Sequence, residues 1–531
     1  MAERLGCFVM KLQFNKVIAY MRVNILCIVL LFSGVVSAQI AKQSTYTNPV
    51  LPLDYSDPDA IRVGDAYYMT ASSFNHVPGL PYDLVHWQLI GHALSVLTPQ
   101  DHFNTVRHGG GVWAPSIRYH NNQFYIFYPD PDFGIYVVTS KNIEGPWSAP
   151  VLVEAGKGLI DPCPLWDTDG KNYLVHAYAG SRAGIKSILV IKELDKTATK
   201  VIGKPTLIYD GHEIDPTIEG PKFYKRNGWY YIFAPAGGVA TGWQTVLRSK
   251  NVYGPYERRV VMEQGSTTVN GPHQGAWVET PNGESWFLHF QDKEAYGRIV
   301  HLQPMVWKND WPIIGVHTSA ETLGNPVTTH EIPGGVKAQL AQAVHPNLQW
   351  QWQANPMTHW KMNLNGVDRF YAVTNQDSTQ NLWNAPNLYM QKIPADSFVF
   401  TVQLNFKPNQ VGEKTGLILF GLDYAYLGLE KTAKGNQLIF VRCLGAEKNG
   451  KEQKQIIAER VSGSVYFNLT VKAGAIAGFG YSTDGKSFIT AGEKFVAKPG
   501  KWVGAKMGIF CSGDRPTNDA GFVEKLSSSV N

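Results

Sequence analysis

The chain has 531 residues, more than one ordinary domain holds, and its 44% hydrophobic and 12% aromatic content excludes a disordered protein. Its 51 Gly and 31 Pro suit many short strands joined by tight turns. A formal net charge of only +5 excludes the strongly basic surface expected of a nucleic-acid or anionic-membrane partner.

At the N-terminus, Arg22 precedes the apolar run Ile25 to Val36, and Val36-Ser37-Ala38 fits cleavage before Gln39. About twelve apolar residues are too few to span a bilayer. Residues 1–38 therefore read as a secretory signal, with 1–20 an upstream extension. The mature chain is expected to be secreted or periplasmic, with no membrane attachment after cleavage. Cys7 and Cys27 fall in that leader. The remaining Cys163, Cys443 and Cys511 read as buried thiols, with a Cys443–Cys511 pair as the alternative. No Cys/His group has zinc-ligand spacing.

From residue 39 to 315 the sequence repeats. Five turns each lead into an aromatic strand: Asp65 to Met69, Asn122 to Ile126, Gly170 to Leu174, Asn227 to Tyr231 and Asn282 to Trp286. Their spacing of roughly 50 to 57 residues is blade-length repetition. A second marker stays in phase with them, as in Lys141 to Trp147 and Lys250 to Tyr256. The pattern predicts an all-β, five-bladed β-propeller.

A short polar or aromatic stretch precedes each aromatic strand: Ser56-Asp57-Pro58, Trp113-Ala114-Pro115, Ile160-Asp161-Pro162, Ile218-Glu219-Gly220-Pro221 and Gly271-Pro272-His273. In a propeller, residues in register at the starts of innermost strands converge on one axis. Three carboxylates, a Trp and a His would then share a pocket. Asp59 rivals Asp57 because strand alternation puts both on one face, and Asp215 likewise rivals Glu219. The prolines after Asp57 and Asp161 predict an extended backbone at both aspartates.

Residues 316–345 loosen into a Gly-, Thr- and Pro-containing connector. Alternation in Phe398 to Leu404 and Gly416 to Phe420 then predicts a β-sandwich over 346–531, without a comparable acidic cluster.

Two carboxyl groups across a pocket suit glycosidic bond cleavage, one protonating the leaving oxygen and the other activating water. A third carboxylate can raise the acid's pKa by like-charge repulsion. Trp113, after Gly109-Gly110-Gly111, reads either as a core aromatic or as a sugar platform. His273 reads as a core histidine or as a ligand for sugar or cation. Arg298 reads as a contact for substrate hydroxyls or as a partner for a carboxylate.

On these stretches, with Asn48-Pro49-Val50-Leu51 and Gly297-Arg298, the chain resembles glycoside hydrolase family 43, the β-xylosidases and α-L-arabinofuranosidases. Trp350-Gln351-Trp352 and Asp423 to Leu429 resemble that family's C-terminal concanavalin-like sandwich. The resemblance implies Asp57 as general base, Glu219 as general acid and Asp161 as pKa modulator. It implies Trp113, Phe74, His273 and Arg298 as substrate contacts. It also implies a structural Ca2+ or a water beside His273 at the propeller centre, with no cofactor required.

The implied reaction is inverting, exo-acting removal of terminal xylosyl or arabinofuranosyl residues from plant cell-wall oligosaccharides. A catalytically impaired, lectin-like propeller is the alternative, which the three retained carboxylates disfavour. No motif specifies an oligomeric state. Two departures from the family pattern stand out: an abbreviated stretch at Pro78 to Asp83, and a polar run-out from Glu524 to Asn531 where a strand is usual.

Overall fold

In the computed structural model, each of the five turns closes a hairpin between an innermost strand and the aromatic strand that follows. The innermost strands are β1 (Asp59–Val63), β2 (Ser116–His120), β3 (Leu159–Trp166), β4 (Lys222–Arg226) and β5 (His273–Glu279). At Asn121-Asn122 and Asn227-Gly228 both turn residues have positive φ, the geometry whose twist matches the paired strands. The structure describes residues 45–76, 87–318, 322–334, 348–374, 381–513 and 519–531. The expected signal, 1–38, and the abbreviated stretch at Pro78 to Asp83 lie outside them.

β2, β3, β4 and β5 each begin a sheet of at least four strands, whereas β1 pairs with Ala66–Thr70 in a two-stranded sheet. Apolar side chains between neighbouring sheets hold the arrangement. Ile61 and Tyr68 pack with Ile117 and Ile126, Phe127 and Val137 with Leu174, and Ile160 and Val175 with Phe223 and Ile232. Tyr231 and Phe233 pack with Phe287, and Leu288 returns to Ala60 and Met69. The packing therefore runs full circle. It is a propeller-like array of four multi-stranded blades plus the β1 hairpin.

The segment before β1 lies along Arg298–Lys308. Leu51 and Val300 exchange backbone hydrogen bonds of 3.2 and 3.0 Å, and Tyr55 donates to the Arg298 carbonyl at 2.9 Å. This register brings Asp57 beside Arg298. Residues 316–325, expected in the connector, instead carry Val316–His317 and Gly324–Asn325, which extend the β4 sheet. Thr329–Glu331 pairs back onto Thr45–Thr47. The connector is thus partly propeller, because its backbone finds free strand edges there.

The C-terminal region is a two-sheet sandwich. Phe398–Lys407 alternates strictly, turning Phe398, Phe400, Val402, Leu404 and Phe406 toward Leu417, Leu427 and Phe440 of the facing sheet. The expected run-out at the C-terminus is corrected: Phe522–Val530 is an interior strand between Val367–Tyr371 and Phe398–Lys407. Its exposed serines point outward while the backbone pairs, so polar sequence does not exclude a strand here. Cys443 and Cys511 are free buried thiols, which corrects the disulfide alternative.

Buried polar contacts fix the sandwich to the propeller. Asp54 accepts N–H groups from Arg298 and Gly504, both at 2.9 Å, while Lys392 donates to the Asp54 carbonyl and lies over the Tyr55 ring. Burial pushes the Lys392 ammonium down to about 8, partly offset by Asp54. Asp54→Ala should cost about 2–4 kcal/mol of stability, from two orphaned buried N–H groups and a lysine without its nearby charge. Urea denaturation checks this, and an unchanged midpoint would show that Asp54 does not hold the interface.

Candidate active site

Asp57 immediately precedes Pro58 and β1, Asp161 lies within β3, and Glu219 sits three residues before β4. Asp57 and Asp161 both have φ of 57°, correcting the expectation of an extended backbone. Aspartate tolerates the left-handed region better than most residues, although such positions still cost of order 1–3 kcal/mol. At Asp161 the pairing of β3 with Asn172–Tyr178 shifts between Ile160 and Cys163, so the residue occupies a bulge.

Asp57 is buried, receives a hydrogen bond from the Ser72 hydroxyl, and faces Arg298 Nη1 at 3.5 Å. Ser72 is itself held by the Ala114 N–H at 2.7 Å. Asp161 is buried and accepts the Gly220 N–H at 2.7 Å. Glu219 keeps 34% side-chain exposure and approaches His273 Nε2 at 3.7 Å. Its neighbours nevertheless raise its pKa, by burial first and then by repulsion from Asp161 and Asp57, against the pull of Arg298 and Lys186. Burial also raises Asp161, opposed by the Gly220 N–H and by Lys222. His273 is pushed down to about 3 by burial and by Arg298, so it is a neutral imidazole.

The two rivals have other duties. Asp59 is fully buried and bound to Arg118 at 2.6 Å and to the Ile117 N–H at 2.8 Å. Asp215 is clamped by Arg258 at 2.6 and 2.7 Å, Trp243 at 2.9 Å, Thr245 at 3.0 Å and the Tyr209 hydroxyl. Despite burial, these donors hold its carboxyl below the usual range. Asp57 and Glu219 therefore remain to face a ligand.

Phe74 and Trp113 form an edge-on pair with ring centroids 6.3 Å apart, and the Arg182 guanidinium lies 5.4 Å from the Trp113 ring. The Trp113 indole donates to the Gly109 carbonyl at 3.0 Å. Gly111 has φ of 84°, and a Cβ there would lie 2.2 Å from the Phe74 carbonyl oxygen. Trp502 reaches the same region from the sandwich, 5.9 Å from the Arg298 guanidinium. No sequence pattern singles out Ser72, Arg182 or Trp502. Ser72 follows an aromatic strand already recognised, but Trp502 comes from a distant domain and carries no local signal.

His273 is fully buried, and among the described residues neither ring nitrogen has a hydrogen-bond partner. Among the described residues, no group of three or more His, Cys, Asp or Glu side chains could hold a metal ion. Ca2+ takes roughly 6–8 oxygen ligands, and among the described residues Glu219 is the one carboxylate within ion-pair range of His273. The described side chains alone do not form a calcium centre.

The family model "Glycosyl hydrolases family 43" matches residues 46–312, and "Beta xylosidase C-terminal Concanavalin A-like domain" matches residues 342–523. A protein of Xylanibacter ruminicola named "Putative beta-xylosidase" is 37% identical over 477 residues, covering 87% of this chain and 86% of that protein. The "Non-reducing end alpha-L-arabinofuranosidase" of Bacteroides ovatus is 29% identical over 428 residues, covering 75% of this chain and 78% of that protein. The crystal structure of a mutant of the GH43 protein BlXynB from Bacillus licheniformis superposes with a TM-score of 0.77 at 25% identity. It covers 92% of this chain and 99% of that one.

Asp215→Asn should cost about 3–5 kcal/mol, because it breaks a buried ion pair and leaves Arg258 without its counter-charge. The folded Asp215 carboxyl lies below its unfolded value of about 3.9, so its stabilisation is fully present above that pH. It is lost as pH falls through the folded value. Chemical denaturation across pH should show the wild-type and Asp215→Asn stabilities converging at low pH. A constant difference down to the most acid condition would contradict the anchoring role.

Proposed function

The chain belongs to glycosyl hydrolases family 43, and from that membership we propose an exo-acting glycosidase that removes terminal β-D-xylosyl or α-L-arabinofuranosyl residues from plant cell-wall glycans with inversion. The observation that carries the mechanism is the contrast between Asp57, which faces Arg298, and Glu219, whose surroundings raise its pKa. Glu219 gives its proton to the glycosidic oxygen as the bond to the anomeric carbon breaks. Asp57 takes a proton from water, and that water oxygen bonds to the opposite face of the anomeric carbon. Negative charge on Asp161 repels a charge on Glu219 and so keeps the Glu219 proton in place. Inversion by this pair calls for a separation of Asp57 and Glu219 in the wider class of about 6.5–9.5 Å.

Trp113 and Phe74 would supply an apolar wall to the terminal sugar, with Arg298 and His273 meeting its hydroxyls. The β-xylosyl reading has the support of the Xylanibacter ruminicola relative's name and of the second matched domain. The arabinofuranosyl reading has the support of the Bacteroides ovatus relative's name.

Three further parts of the proposal rest on narrower support. The β1 hairpin counts as the first of five blades, on the sequence repeat and the circular packing. The leader at 1–38 directs export to the periplasm or beyond. A calcium ion beside His273 would be held largely through water, and hydrolysis as proposed routes no step through it.

Glu219→Ala should lose about 10²–10⁴-fold in kcat/KM on glycosides with poor leaving groups and much less on activated aryl glycosides. Equal losses on both would refute its role as acid. NMR of the first-formed sugar should show the inverted anomer, and a retained anomer would overturn single displacement. Because the folded Glu219 pKa is raised, activity should persist through neutral pH and fall as pH rises through that value. An alkaline limb at the ordinary carboxylate range would contradict this.

A further inference from the structure

Lys222 opens β4, two residues after the Gly220 whose N–H holds Asp161. It is 0% exposed, and an ammonium wholly removed from water is costly unless something compensates it. Its hydrogen bond is to the Ser116 hydroxyl, at 3.4 Å. Among the described residues no carboxylate forms an ion pair with it, so a direct salt bridge does not account for its burial.

The charges around it are otherwise matched. Asp59 is bound to Arg118, and Arg118 also donates to Cys163 at 2.7 Å. Arg298 lies 3.5 Å from Asp57 and 3.7 Å from the more exposed Asp292. Asp54 is taken up by backbone N–H groups and lies near Lys392 and Lys506. His273 is neutral, and Lys186 is exposed on the Glu219 side. Asp161 is left with the Gly220 N–H, the nearby charge of Lys222 and, as a smaller influence, that of Arg298.

We propose that Lys222 is the second buried counter-charge of the carboxylate cluster, a positioning residue that keeps the catalytic proton on Glu219 rather than on Asp161. Arg298 and Lys222 balance Asp57 and Asp161. A further negative charge on Glu219 would have no buried partner, so the proton stays there. Without Lys222, Asp161 competes for that proton and a share of the enzyme holds it on the wrong carboxyl.

The inference rests on Glu219 being the acid, and its test is separable from that assignment. Lys222→Met should move both limbs of the kcat/KM–pH profile to higher pH by about one unit, because a buried cation near the carboxylates is gone. The plateau should fall about twofold, because a tenfold change in proton sharing takes the proton from mostly Glu219 to an even split with Asp161. In an Asp161→Asn background the same substitution should lower the plateau no further, because the competing carboxyl is gone. A lower plateau with both limbs fixed would make Lys222 a packing residue and overturn the proposal.

Should Lys222→Met not fold, 15N NMR of the lysine Nζ decides on the wild type. An ammonium signal throughout the active pH range is expected, and a neutral amine there overturns the proposal. If Glu219 were not the acid, the leaving-group dependence of Glu219→Ala would be absent, whatever Lys222 does.

Discussion

Three carboxylates crowded into one water-poor pocket cannot all carry charge, and this constraint shapes the centre of the molecule. Like charges and burial both favour the protonated form, so the pocket must decide which carboxyl keeps a proton. Asp57 has Arg298 and the Ser72 hydroxyl, and Asp161 has the Gly220 N–H. Glu219 has a neutral imidazole at 3.7 Å and two acidic neighbours. Of the three, Glu219 has the least support for a negative charge, which suits the proposed acid.

The rest of the fold serves that arrangement. Sheets packed in a circle bring the starts of the innermost strands together, and positive-φ backbone at Asp57 and Asp161 sets the direction of their side chains. The segment through Leu51 and Tyr55 runs along Arg298–Lys308, which brings Asp57 beside Arg298. Asp54 then joins Arg298 to Gly504 of the sandwich, so the second domain buttresses the same arginine and carries Trp502 to the pocket. Stability and proposed catalysis meet at Arg298.

Much of this was legible in the sequence because turn chemistry and strand aromatics are local signals. Asn227-Gly228 announces a hairpin without any tertiary information. Register along the repeats likewise brought Asp57, Asp161 and Glu219 into one pocket. What alternation could not separate was Asp57 from Asp59 or Glu219 from Asp215, since each pair reads alike until the partners are known. Arg118 and Arg258, which claim Asp59 and Asp215, come from other strands. The prolines after Asp57 and Asp161 misled about the backbone, because local preference yielded to the bulge and to the side chain's place at the axis. The polar tail after Val523 misled similarly, since backbone pairing alone carried that strand into the sheet.

The central claim is that Glu219 holds a proton at neutral pH because its neighbours crowd it. A 13C NMR titration of glutamate-labelled protein, with Glu219 assigned by comparison with Glu219→Gln, measures it directly. The account predicts a protonated Glu219 carboxyl at neutral pH, with a step that moves down when Asp161 is replaced by Asn. A Glu219 carboxyl already ionised in the ordinary acidic range, and indifferent to Asp161→Asn, would contradict it.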